Sequence, residues 1–158
     1  MPAVIPGSTQ LDETTGLHMT GFVQQSDLAT YRLVVTGKVD HPLSLSLDDL
    51  RCLEKITATS DLTCYGVFQD SGTWSGVPMK IVLEKAVVQA GAKEVVLRSA
   101  DDFRGYVSLE DALDPRNFLA YEMEGKPLPI LHGFPLRAVF PDGPGGQWVK
   151  WLVEIIVE

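Results

Sequence analysis

The C-terminal segment, from Pro141 to Glu158, constrains the fold most. Pro141-Asp142-Gly143-Pro144-Gly145-Gly146 reads as a turn. Behind it, Trp148 to Val157 alternates. Val149, Trp151, Val153, Ile155 and Val157 share one face, and Lys150 and Glu154 share the other. Such a strand must pair with neighbours and bury its apolar face, so the chain contains a sheet with a core packed against it.

The rest of the chain supplies the partners. Tyr31 to Thr36 reads as a strand ended by Gly37, and Pro42 to Leu45 as a short extended piece. Ser46 with Asp49 forms a capping box that opens a helix running to about Leu53, with Leu45 and Leu50 placed as a staple. Lys55 to Cys64 reads as a Thr-rich strand, and Val67 to Thr73 as a loop. Val82, Leu83, Ala86, Val87 and Ala90 make one stripe of a helix over Met79 to Ala90, with Gly91 just past its end. Glu94 to Arg98, Phe118 to Met123 and Arg137 to Phe140 read as strands. Ser108 with Asp111 opens a short helix through Leu113, and Glu124 to Pro127 is a turn. Residues 1–30 have no period and read as an irregular arm ahead of one domain over 31–158. Many short strands with few short helices predict an α+β fold of mixed or antiparallel sheets, not a βαβαβ layout.

Composition narrows the partners. The formal net charge of −8 argues against nucleic acid and anionic membrane surfaces. No apolar run reaches the roughly 20 residues of a membrane span, and Met1 to Gln10 has no export-signal pattern. The chain as it stands therefore reads as soluble and cytoplasmic, or periplasmic if a leader has been removed. The two cysteines, Cys52 and Cys64, match no zinc or redox spacing. Cys52, beside Leu50 and Leu53, reads as core. Cys64 is either a small buried hydrophobe or a thiolate at a strand end. Asp101, Asp102, Arg104 and Tyr106 read as a solvated loop.

His132-Gly133-Phe134-Pro135-Leu136-Arg137 precedes the turn, and Lys150 follows it within Trp148-Val149-Lys150-Trp151. Each residue alone is weak evidence. Together, a histidine, an arginine fork and a lysine point charge on one unit suit an anion, most naturally a phosphate.

The run from Leu119 to Pro129, then His132 to Arg137, Pro141 and Val149-Lys150-Trp151-Leu152, resembles the molybdopterin-binding core of the sulfite oxidase family. Tyr31 to Val39 with Pro42 and Leu45 to Leu50, and later Trp74-Ser75-Gly76-Val77-Pro78, resemble other parts of it. The resemblance covers roughly residues 31–157. It implies a sulfite-oxidase-type fold and an oxidoreductase dependent on the molybdenum cofactor, molybdopterin with Mo. In that reading Cys64 is the metal ligand and the catalytic centre. His132, Arg137, Lys150, Gly145 and Gly146 hold the cofactor. Oxygen-atom transfer or two-electron redox acts on a small molecule, with a separate electron-transfer protein as partner. The sulfite oxidases follow their cysteine with an Asn-Arg-Arg run, whereas Cys64 is followed by Tyr65-Gly66-Val67-Phe68. That difference implies a neutral oxo-compound such as a sulfoxide rather than sulfite. The alternative function is a non-catalytic binding or structural domain that keeps the fold.

Overall fold

The structure is a computed structural model that describes residues 10–19, 23–64 and 68–158, without the side chains at 10, 19, 63, 64, 68 and 69. Two five-stranded sheets organise it. The first contains β3 (Leu33–Gly37), β4 (Leu43–Leu45), β7 (Glu94–Ser99), β8 (Arg104–Ser108) and β12 (Leu152–Val157), in the order β4-β3-β12-β7-β8. The C-terminal strand β12 is central, parallel to β3 and antiparallel to β7. Its neighbours pair its backbone on both sides, and Leu152, Ile155 and Val157 are buried in the core that covers the sheet's face.

The second sheet contains β5 (Ile56–Cys64), β6 (Phe68–Pro78), β9 (Phe118–Met123), β10 (Lys126–Pro127) and β11 (Arg137–Val139), all antiparallel. A separate hairpin joins β1 (Gln10–Asp12) to β2 (Leu17–Met19). The helices are α1 (Leu47–Arg51), α2 (Met79–Ala86) and α3 (Leu109–Leu113). One continuous apolar core draws on both sheets and all three helices, through residues such as Leu33, Leu50, Leu83, Ala112, Phe118 and Leu152. The fold is α+β, as the sequence predicts.

Several elements match their local signals. The Ser46–Asp49 capping box is formed in both directions, and Ser108 caps α3 through the Asp111 amide. Others differ. Of the segment read as a loop, Val67 to Thr73, Val67 lies outside the described residues and the rest is in β6, because Phe68 to Thr73 gain a ladder from β5; β9 joins on the other side from Trp74. α2 stops at Ala86, where Val87 turns left-handed (φ 59°); Gly91 lies beyond it. Arg104 and Tyr106 belong to strand β8, not a loop, with Gly105 buried between them and Val107 buried after Tyr106. The long tail strand begins only at Leu152. Trp151 has φ 50° and the ladder shifts at Leu152/Glu154, so the single-face alternation breaks there. Cys52 is exposed at the C-terminal cap of α1 rather than in the core. The arm read as irregular contains the β1–β2 hairpin.

Candidate functional site

Arg137 begins β11 and is 2% exposed. Its Nη1 donates to the His132 carbonyl (3.0 Å) and its Nη2 to the Trp148 carbonyl (3.3 Å). The guanidinium lies 4.7 Å from the Trp74 ring and 5.5 Å from the Trp148 ring. Among the described residues its Nε has no hydrogen-bond partner and no carboxylate forms an ion pair with it. Burial lowers its pKa to about 9, so the group keeps its charge at neutral pH. A buried cation with a spare donor is costly unless an acceptor from outside the chain completes it.

Lys150 enters the same space from the segment before β12. Its Nζ donates to the Leu131 carbonyl (3.4 Å) and lies 4.7 Å from the Trp151 ring. Burial, followed by the nearby Arg137 charge, lowers its pKa to about 7. Gly133 makes this approach possible. Its φ is 114°, and a Cβ there would stand 3.0 Å from the Arg137 Cβ and 3.2 Å from the Lys150 Cβ. The two segments are stitched by the Ala138 amide to the Val149 carbonyl and the Leu152 amide to the Leu136 carbonyl. They are not paired strands of one hairpin: β11 and β12 belong to different sheets.

His132, 2% exposed, closes one side. Its Nε2 lies 2.9 Å from both Asp12 Oδ2 and Thr15 Oγ1. Burial lowers its pKa against the pull of Asp12, which favours a neutral ring donating from Nε2. Burial alone would raise Asp12, but hydrogen bonds from His132, Thr15 and the Thr14 amide outweigh it and hold the carboxyl below its usual range. His18 Nδ1 lies 2.7 Å from Asp70 Oδ1, and the His18 amide donates to Asp70 Oδ2.

These groups line one pocket. Trp74, Trp148, Arg137, Lys150, His132 and Gly145 form much of its wall, and Leu17, His18, Leu62, Asp70 and Gly72 complete it. The structure therefore brings together His132, Arg137, Lys150 and Gly145 of the predicted set. Gly146 is not in the wall; it is exposed, with its carbonyl close to Gly105. The Cys64 backbone pairs with Phe68 at the end of the β5–β6 hairpin, two positions beyond the wall residue Leu62. Its side chain lies outside the described residues. Sequence reasoning missed the pocket roles of Trp74, Trp148, Asp12 and Asp70. The tryptophans bracketing Lys150 were the one local hint.

The family described as "Oxidoreductase molybdopterin binding domain" matches residues 20–158, starting ahead of the resemblance read from residue 31. Among curated proteins, the chain is 34% identical over 137 residues to "Uncharacterized oxidoreductase YuiH" of Bacillus subtilis, covering 86% of this chain and 69% of that protein. It is 34% identical over 166 residues to "Sulfite oxidase, mitochondrial" of Macaca fascicularis, covering 86% of this chain but 30% of that protein. Among solved structures, the sulfane dehydrogenase SoxCD from Paracoccus pantotrophus superposes with a TM-score of 0.82 at 22% identity, over 96% of this chain and 50% of that one. The chain thus spans well under half of the sulfite oxidase relative and half of SoxCD.

Proposed function

The chain belongs to the oxidoreductase molybdopterin-binding domain family, and on that premise we propose that it is a molybdenum-cofactor-dependent oxidoreductase acting on a small substrate. The observation that carries this reading is Arg137, a buried guanidinium whose Nε has no partner among the described residues. The pocket residues fit an anionic cofactor. Arg137 offers a fork and Lys150 a point charge, a pairing suited to a phosphate. Trp74 and Trp148 exclude water from the guanidinium, which strengthens its field on an anion. The Gly145 backbone, in the pocket wall, adds a donor at the turn, while His132 gives its Nε2 proton to Asp12 and shapes the wall beside the anion. Cys64 supplies a soft thiolate for the metal. When bound, the molybdenum centre supplies two-electron redox and oxygen-atom exchange. Electrons pass to or from a separate carrier protein.

The test is metal and pterin analysis of protein purified from a host that makes the cofactor. Molybdenum and pterin in near-equal amounts are expected for the unaltered protein. Cys64→Ser should lose the metal and all molybdenum-dependent activity, while Cys52→Ser keeps both. Equal loss in two folded variants contradicts the Cys64 assignment. Absence of both molybdenum and pterin from the unaltered protein overturns the cofactor reading.

A further inference from the structure

One wall of the pocket is made by an element with no part in the chemistry above, the β1–β2 hairpin. Among the described residues, its two strands pair only with each other. Among the described residues, no backbone-to-backbone hydrogen bond joins it to either five-stranded sheet. Side chains hold it, and two of the fastenings run in opposite senses. Hairpin Asp12 meets His132 of the body at 2.9 Å, while hairpin His18 meets Asp70 of the body at 2.7 Å. Thr15 reinforces the first by donating to Asp12 Oδ2 and contacting His132 Nε2. Leu17, 6% exposed, adds an apolar anchor in the pocket wall.

Both body residues, His132 and Asp70, are themselves wall residues of the pocket. They are also buried, so each fastening is a charge-assisted contact in a poorly hydrated setting, where it is strong and directional. An element held by a few such contacts and by no ladder can come away as a unit while both sheets stay intact. A ligand seated behind Leu17 and His18 is enclosed while the hairpin is docked.

We propose that the β1–β2 hairpin is a detachable clasp over the anion pocket, with Asp12 and Asp70 as the positioning residues that fasten it by orienting His132 and His18. The proposal rests on the reading of this pocket as the cofactor's seat. Opening admits the ligand, and closing retains it. Asp12 also sets which nitrogen of His132 carries the proton, since its carboxylate can only accept.

Two measurements test it, and one needs no ligand. Hydrogen exchange on cofactor-free protein should show protected amides at residues 11–18 in the unaltered chain. Asp12→Asn and Asp70→Asn should each speed exchange there by roughly tenfold, the cost of one charge-assisted contact, with β3, β9 and β12 unchanged. Unprotected hairpin amides in the unaltered protein overturn the clasp. So does acceleration across both large sheets, because the hairpin is then integral to the fold. The second measurement follows pterin release from loaded protein by fluorescence. Both variants should release pterin faster, and release at the rate of the unaltered protein overturns the clasp. If the protein takes up no pterin, the cofactor reading fails, and the exchange measurement alone decides the clasp.

Discussion

Burial and the Arg137 charge beside it hold Lys150 at a pKa of about 7 in the ligand-free pocket. An anion contacting the ammonium favours its charged form, so binding takes up a proton. Inorganic sulfate, which does not titrate in this range, should bind best below pH 7. Its affinity should weaken by up to roughly tenfold per pH unit above that. Titration calorimetry between pH 6 and 9 measures this, and Lys150→Met should flatten the profile. A flat profile in the unaltered protein would show that Lys150 does not meet the anion. The stability sign follows from the same depression. Between about 7 and the ordinary lysine value of 10.5, the folded ligand-free state binds fewer protons than the unfolded chain, so this residue makes stability rise with pH. His132, Arg137 and Lys150 were legible as a group because their donor types cluster around one Pro/Gly turn. Asp12 and Asp70 were not. Their partners lie 120 and 52 positions away, and no local pattern encodes a contact over such distances.

At the scale of elements, legibility followed the origin of the stabilising contacts. α1 and α3 announce themselves through Ser46 and Ser108, whose caps act within three residues. β6 does not, because Asp70, Ser71 and Gly72 are poor strand formers taken alone. The ladder to β5, which covers β6 from Phe68 to Gly76, outweighs that preference. Gly76 shows how tight this fit is. It sits where the β6–β9 register shifts, and a Cβ there would stand 1.8 Å from the Leu119 carbonyl oxygen. Gly76→Ala should therefore cost about 3 kcal/mol, at the upper end of overpacking effects. Gly146→Ala, which faces open space, should cost less than about 0.5 kcal/mol. Urea denaturation of the two variants compares them. Equal costs would contradict the close approach of β6 and β9.

The molecule as a whole sets a small cationic pocket in a chain of net charge −8. The long-range field therefore opposes an approaching anion, and attraction begins only within reach of Arg137 and Lys150. A compact dianion such as sulfite, with no arginine following Cys64 to clamp it, should turn over poorly. A neutral sulfoxide should be the better substrate of cofactor-loaded protein. Steady-state comparison with artificial electron carriers decides between them, and efficient sulfite oxidation at physiological salt would contradict the electrostatic reasoning. The fold class was legible at this scale, because the strand-rich pattern around Pro and Gly turns admits few architectures.

The tryptophans carry a consequence of another kind. The chain has three, and all three serve the two cations: Trp74 and Trp148 under Arg137, and Trp151 under Lys150. Nearly all of the light this protein emits under ultraviolet excitation at 295 nm therefore originates at the pocket. The site is its own optical reporter, and occupancy by an anion should change emission intensity or wavelength without any added label.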